Sequence, residues 1–196
     1  MSMLLVPAKT SGAPAGPSAL SISAFVATGA RIPIGVVVLI SLLAGKGLLG
    51  ALALTLFVAL DIADGMIARA ANVDNGYRRA FDSFIDRAVV TVFFVEAAFR
   101  TSPLWLAASI VALTNILSLP LALTIWYRDR VVMKAPNWHR VWSTLLCLSG
   151  LFYFAGEVGP AVVIATVGAL CIAMCSADLA RSHFLLARVQ GTPSSD

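Results

Sequence analysis

Charged residues are scarce in this chain. Only 12% of its 196 residues are Asp, Glu, Lys or Arg, whereas 59% are apolar, and the mean hydropathy is +0.90. These values exclude an ordinary soluble globular protein. Apolar runs of membrane length recur along the whole sequence, so the composition predicts an integral membrane protein.

Cysteine and histidine are also rare, with three and two residues respectively. Cys147, Cys171 and Cys175 lie within apolar segments, and neither His139 nor His183 stands at a spacing typical of metal ligands. We therefore predict no disulfide and no metal site built from thiolates or imidazoles. The apolar start of the chain is too short for a secretory signal, so we expect no cleavage.

Six apolar segments separated by short polar breaks predict an all-α fold, an integral membrane bundle of six transmembrane helices. The catalytic domain is predicted to cover residues 20–185. Residues 1–19 are predicted to form a flexible N-terminal cytoplasmic segment, and residues 186–196 a C-terminal cytoplasmic tail. The predicted spans are 20–44, 48–69, 79–99, 104–126, 141–157 and 160–180.

Basic residues are distributed unevenly between the two sets of predicted loops. By the positive-inside rule, both termini and the polar break after the second span face the cytoplasm. This topology, together with attraction to anionic lipid headgroups, accounts for the net charge of +4, so we predict membrane lipids and no nucleic acid as partners. The opposite loops hold only Lys46 and Arg100, whereas the basic set comprises Lys9, Arg69, Arg78, Arg79, Arg128, Arg130, Lys134, Arg140, Arg181 and Arg188.

Four carboxylates interrupt the apolar helices on either side of one polar break, residues 70–77. Asp61 and Asp64 precede the break, and Asp82 and Asp86 follow it. Spacings of i,i+3 and i,i+4 place each pair on one helix face, and folding the helices about the break brings Asp61 and Asp86 to the same depth, ~12 Å from it. Each buried charge costs about 2.5–3.5 kcal/mol in a bilayer, so the group predicts bound cations. Two divalent ions with hard oxygen ligands, Mg²⁺ or Mn²⁺, fit best; a structural network with nearby arginines, Arg87 among them, is the alternative.

Other polar residues within the predicted spans are harder to assign. Arg31 in the first span must meet an anionic substrate or a site carboxylate, or else snorkel to the surface. Glu96 has no partner that the sequence identifies, and Asp178 is predicted to pair with Arg181 one turn later. The basic loop of residues 127–140 predicts anchoring at the membrane interface, with docking of a phosphorylated acceptor as the alternative. Its candidate acceptor-binding residues are Arg128, Arg130 and Lys134.

The spacing of the aspartates resembles the signature of the CDP-alcohol phosphatidyltransferase family, D-x-x-D-G-x-x-A-R-x(8)-G-x-x-x-D-x-x-x-D. Six spans in roughly 200 residues are also similar to this family. Two departures are visible: Arg78 stands where the family has glycine, and Ala24 and Phe25 replace a Pro-Asn pair that precedes Thr28 and Arg31. The matching positions are Asp61, Asp64, Gly65, Ala68, Arg69, Asp82 and Asp86.

The resemblance implies an enzyme that moves a phosphoryl-alcohol group, such as a phosphatidyl group, from a CDP-linked donor to an acceptor hydroxyl and releases CMP, as in phospholipid biosynthesis. It implies that Asp61, Asp64 and Asp82 hold two Mg²⁺ or Mn²⁺ ions, and that Asp86 is the general base and lies near the second ion. It leaves a homodimer open, because homodimers are common in the family. The residues that it implies for the nucleotide and diphosphate pocket are Gly65, Ala68, Arg69, Thr28, Arg31 and Arg78.

Two other classes of function stay open at this point. A membrane prenyltransferase or terpene cyclase also uses paired aspartates and magnesium, on an isoprenoid diphosphate. A divalent-ion or proton pathway would need the carboxylates but no catalysis. A degenerate family member with an altered donor is a third alternative, because Arg78 adds bulk and positive charge where CDP is expected to approach.

Overall fold

Long helices make up most of the chain, which agrees with the predicted helical bundle. The computed structural model describes the backbone of residues 4–7, 19–70, 76–129, 131–134 and 141–190, and the side chains of residue 26 and residues 28–67, 83–121 and 141–181. A short 3₁₀ turn, Ser102–Leu104, precedes the fourth helix. The helices are α1 (Ala19–Leu43), α2 (Gly47–Ala70), α3 (Gly76–Arg100), α4 (Trp105–Asp129), α5 (Val141–Phe154) and α6 (Val158–Gln190).

Two short segments pair as a two-stranded antiparallel ribbon. Strand β1 (Leu4–Pro7) pairs with strand β2 (Val131–Lys134), with Leu4 opposite Lys134. The all-α prediction holds for the bundle, and the ribbon adds two four-residue strands in segments predicted to be a flexible lead-in and a loop. The pairing joins four-residue segments far apart in sequence, and neither segment shows the alternating pattern that predicts a strand.

Among the residues that the structure describes, three helices are long and apolar enough to cross a membrane. They cover Gly47–Ile67, Ser102–Leu121 and Val158–Arg181. Thr28–Leu43 and Val141–Phe154 are shorter apolar helical stretches. Within the described residues, length and composition thus support three crossings, and the other three of the six expected spans remain predictions.

Glycines with positive φ end α1 and α5. Gly45 has φ 65° and Gly156 has φ 85°, a region that residues with a side chain rarely adopt. The amide of Lys46 donates to the carbonyl of Ser41 at 2.9 Å, and the amide of Gly45 donates to the carbonyl of Leu42 at 3.2 Å. These two bonds form a Schellman cap, and an equivalent pair surrounds Gly156. The caps make α1–α2 and α5–α6 tight antiparallel hairpins.

The core of the bundle combines aromatic rings with small residues. Phe93 of α3 lies edge-on to Phe94, with ring centroids 5.3 Å apart, and edge-on to Tyr153 of α5, with centroids 6.1 Å apart. On α6 three fully buried alanines recur at four-residue intervals, and their small side chains allow close packing of α6 in a bundle where it contacts α4 and α5. These alanines are Ala161, Ala165 and Ala169.

Helix α1 lies against both α2 and α3. From the sequence, α2 and α3 are predicted to fold directly onto each other about the break at 70–77. Within the described residues they form no extensive interface with each other, whereas each packs on α1. The carboxylates of α2 and α3 therefore meet through α1 rather than across a simple two-helix hairpin.

Candidate active site

The α1–α2 hairpin determines which polar residues meet. Gly45 and Gly47 bound the turn of this hairpin. Arg31 lies 14 residues before Gly45, and Asp61 lies 14 residues after Gly47. Thr28 and Asp64 lie 17 residues from the same two glycines. Residues at equal distance from the turn of an antiparallel helix pair lie side by side, here ~21–26 Å from the turn. The hairpin thus places both aspartates of α2 beside polar residues of α1.

The guanidinium of Arg31 bridges two aspartates from different helices. Its Nη1 lies 3.1 Å from Oδ1 of Asp61 on α2, and its Nη2 forms an ion pair with Oδ1 of Asp86 on α3. The Arg31 side chain is fully buried, whereas those of Asp61 and Asp86 are 45% and 27% exposed. Arg31 therefore faces the bundle interior and contacts site carboxylates, and it does not snorkel to the surface.

An aromatic ring supports the same guanidinium. The Cζ atom of Arg31 lies 4.8 Å from the centroid of the Phe57 ring, a distance typical of a cation–π contact. Phe57 precedes Asp61 by one helical turn, so both occupy the same face of α2. Phe57 is not among the predicted site residues, although its i,i+4 spacing to Asp61 is a signal that could have identified it.

Asp64 is held in a different way from the other two carboxylates. The hydroxyl of Thr28 donates to Oδ2 of Asp64 at 2.6 Å, and both residues are 1% exposed. A short hydrogen bond between a hydroxyl and a carboxylate is strong, and it fixes the orientation of the carboxylate. Gly65, the next residue, is half-buried on the same helix. Asp64 is thus a buried, oriented carboxylate, while Asp61 and Asp86 remain accessible.

Several of the predicted site residues lie outside the described side chains. Asp82 and Arg78 belong to α3, and Ala68 and Arg69 to α2, but only their backbone is described. Their predicted roles therefore remain predictions. The same holds for the acceptor-binding candidates Arg128, Arg130 and Lys134; of these, Arg128 lies in α4 and Lys134 in β2 by backbone alone.

The chemistry of the described carboxylates fits a divalent cation. Asp61, Asp64 and Asp86 offer hard oxygen donors, which Mg²⁺ and Mn²⁺ prefer. Two of them already converge on one positive group. Among the described side chains no cluster of three or more acidic, histidine or cysteine residues is close enough to hold a metal ion. The fourth carboxylate of the predicted set, Asp82, is not among those side chains.

A second polar cluster lies beside Asp86, on the face of α3 that meets α4. Nη1 of Arg87 donates to the hydroxyl of Ser118 and, at 3.3 Å, to Oδ1 of Asn115. The Arg87 guanidinium also lies 5.9 Å from the ring of Trp142. These contacts are with neutral groups, so they do not support the alternative in which Arg87 pairs with the aspartates. Asn115 and Ser118 stand at i,i+3 in an apolar helix, and that spacing could have revealed the cluster.

The ion pair of Glu96 and Arg100 lies away from the aspartates. Glu96, for which the sequence identified no partner, accepts a bond of 3.0 Å from Nε of Arg100 at the opposite end of α3. Nη2 of Arg100 also donates to the carbonyl of Leu43 at 3.2 Å and so links α3 to the end of α1. Asp178 is half-buried in α6, and its pairing with Arg181 stays a prediction. Cys147, Cys171 and Cys175 are free thiols.

The chain matches one known protein family over most of its length. The family model described as CDP-alcohol phosphatidyltransferase matches residues 22–175, a range that includes Thr28, Arg31 and all four aspartates of the signature. The match supports CDP-alcohol phosphotransferase activity in general, with a CDP-linked donor and a hydroxyl acceptor. No curated protein and no solved structure matches the chain.

Proposed function

We propose that this chain, which belongs to the CDP-alcohol phosphatidyltransferase family, transfers a phosphatidyl group from CDP-diacylglycerol to the hydroxyl of an acceptor alcohol and releases CMP. One observation carries the proposal: Asp61 and Asp86, from two different helices, meet at a single guanidinium. Asp64, one turn after Asp61 on α2, is oriented by Thr28. Three of the four signature carboxylates thus lie in one region of the bundle.

The carboxylates Asp61, Asp64, Asp82 and Asp86 are the proposed ligands of two Mg²⁺ or Mn²⁺ ions. Such ions, when bound, neutralise the diphosphate of the donor and polarise its phosphorus. The chain supplies one fixed ligand and two accessible ones, since Asp64 is buried on Thr28 while Asp61 and Asp86 are partly exposed. The two accessible carboxylates can meet a large anionic substrate with its metal ions, while the buried Asp64 keeps its position.

Asp86 is the proposed general base. One of its carboxylate oxygens accepts the proton of the acceptor hydroxyl. The oxygen of that hydroxyl forms a bond to the β-phosphorus, which bears the diacylglycerol, and the bond from this phosphorus to CMP breaks. The 27% exposure of the side chain supports this role, because a hydroxyl can reach it.

The substrate pocket is proposed from the family signature. Thr28 and Arg31 contact the carboxylates directly, which supports their place beside the donor diphosphate. Arg78 is proposed as a phosphate ligand that replaces the family glycine. The other residues proposed for the nucleotide are Gly65, Ala68 and Arg69, and those proposed for the acceptor are Arg128, Arg130 and Lys134.

The membrane arrangement is part of the same proposal. All six helices cross the bilayer, and both termini and the carboxylates face the cytoplasm, which the uneven distribution of Lys and Arg supports. Residue 102 is proposed to lie outside the cytoplasm and residue 195 inside it. An impermeant maleimide applied to intact cells should therefore label a Ser102→Cys variant but not a Ser195→Cys variant. The reverse labelling would contradict this orientation.

The deciding experiment is a transfer assay on the purified protein in lipid vesicles. Labelled CDP-diacylglycerol is offered with glycerol 3-phosphate, inositol, inositol phosphate or serine, and CMP release and lipid product are measured with Mg²⁺ and with EDTA. Acceptor-dependent CMP release that EDTA abolishes is the expected result. Consumption of an isoprenoid diphosphate in place of any CDP-linked donor would overturn the proposal in favour of prenyl transfer. The mass of the vesicle-extracted protein, measured by light scattering, tests for a homodimer.

A further inference from the structure

Arg31 occupies the space between the two accessible carboxylates of the site. Its Nη1 and Nη2 face one Oδ1 each, on Asp61 and Asp86, and its side chain has no exposed surface. The ring of Phe57 lies under the same guanidinium. The group is therefore enclosed by its anionic and aromatic partners, in the position of a bound cation.

We propose that Arg31 is an internal counter-cation that competes with divalent cations for Asp61 and Asp86, and so sets the cation affinity of the nucleotide-free protein. The inference rests on the proposed function in one respect, namely that a divalent ion binds these carboxylates. It adds that the arginine opposes this binding until it is displaced. Arg31 is in this sense a residue that determines how strongly the site takes a metal.

The competition follows from the shared oxygen atoms. A divalent ion needs carboxylate lone pairs for coordination, and one oxygen of each aspartate already faces an Nη atom of Arg31. An ion bound between the two aspartates would also stand beside a positive charge, and in a low-dielectric interior like charges repel strongly over a few ångströms. Cation entry therefore requires the guanidinium to leave at least one of its two partners.

A purely structural role for Arg31 predicts the opposite change in metal affinity when the residue is replaced. If the guanidinium only holds Asp61 and Asp86 in place for the metal, its removal loosens both ligands and weakens metal binding. If it competes, its removal frees two carboxylates and strengthens metal binding. The direction of the change thus separates the two roles, and it can be measured without substrate turnover.

The experiment measures Mn²⁺ binding to nucleotide-free protein in nanodiscs, from the electron paramagnetic resonance signal of free Mn²⁺. Arg31→Met should bind Mn²⁺ at least about tenfold more tightly than wild type. Arg31→Lys should fall between them, because an ammonium is a point charge that does not bridge two carboxylates as a guanidinium does. Arg100→Met is the control: it removes the same charge ~21 Å along α3 from Asp86, so its affinity should stay within about twofold of wild type.

Thermal unfolding provides a second measurement. Without metal, Arg31→Met should melt below wild type, because two carboxylates lose their counter-cation, and Mn²⁺ should raise its Tm by more than it raises that of wild type. A variant that folds only in the presence of Mn²⁺ supports the proposal equally. If Arg31→Met cannot be recovered at all, Arg31→Lys decides, and an affinity equal to wild type overturns the proposal.

Failure of this inference is distinguishable from failure of the proposed function. Unchanged or weaker Mn²⁺ binding by Arg31→Met, with wild type active in the transfer assay, overturns the competition alone. Absence of Mn²⁺ binding by wild type and variant overturns the competition and the divalent-ion part of the proposed function together. Tighter binding by Arg31→Met in a protein that transfers no phosphatidyl group supports the competition and overturns the proposed reaction.

Discussion

Thr28 of α1 donates a hydrogen bond of 2.6 Å to Asp64 of α2, and both side chains are buried. The same helix places Arg31, one turn later, against Asp61 and Asp86. All three described signature carboxylates therefore have a partner on α1, although they belong to α2 and α3. The first helix, which carries none of the aspartates, is the element that organises their positions.

Thr28→Val should destabilise the protein by about 1–3 kcal/mol, because the substitution leaves a buried carboxylate without one of its donors. The change is measured as a fall in Tm in detergent and as lower resistance to chemical unfolding. Thr55→Val is the matched control: Thr55 lies on an exposed face of α2, and its hydroxyl donates only to the carbonyl of Ala51 in its own helix. That variant should stay within about 0.5 kcal/mol of wild type. Equal losses of stability in the two variants would show that the bond to Asp64 stabilises the protein no more than the bond made by Thr55.

Asp86→Asn should lower turnover by about 100-fold or more, since the amide cannot accept the acceptor proton. Binding of CMP with Mg²⁺, measured as thermal stabilisation, should largely survive. Glu96→Gln changes a carboxylate on the same helix that pairs with Arg100 at the other end, and its turnover should equal that of wild type. Full activity of Asp86→Asn would remove Asp86 from the role of base.

The helices could be predicted from the sequence because their signal is local. Long apolar runs predict each helix near its observed place, and Gly45 and Gly156 mark two of the turns. The end of α6 could not be predicted in this way: the apolar run stops near residue 180, whereas the helix continues to Gln190, because polar residues can extend a helix beyond the membrane. The β1–β2 ribbon depends on pairing between distant segments, which no local pattern encodes.

The site could be predicted only in part. The spacing of the aspartates indicates that they share a depth, but not that α1 stands between α2 and α3. The partners Thr28 and Arg31 follow from the register of the α1–α2 hairpin, which becomes fixed once the turn at Gly45 is known to be tight. A glycine in a sequence predicts a turn, but its hydrogen bonds determine which residues then lie side by side.

Arg87→Met should destabilise the protein by about 1.5–3 kcal/mol, the range for hydrogen bonds made by a charged group. The substitution removes the bonds from α3 to Ser118 and Asn115 on α4, while Asn115 keeps its bond of 2.8 Å to Thr91. Thermal unfolding of Arg87→Met, Ser118→Ala and the double variant measures the coupling between the two sites. The double variant should lose less than the sum of the two single losses. Strict additivity would mean that Arg87 and Ser118 do not act together.

Gly47→Ala tests whether the packing of α2 against α5 leaves room for a single methyl group. A Cβ at Gly47 would lie 2.5 Å from the carbonyl oxygen of Phe154. Because that oxygen belongs to the backbone just before the Gly156 turn, it cannot rotate away as a side chain would. We expect a loss of about 1–3 kcal/mol, measured by thermal unfolding. A Cβ at Gly159, near the start of α6, would meet nothing within 4 Å, so Gly159→Ala should be neutral or stabilising by up to about 1 kcal/mol. Equal stability of the two variants would mean that the α2–α5 contact can open to admit the methyl group without cost.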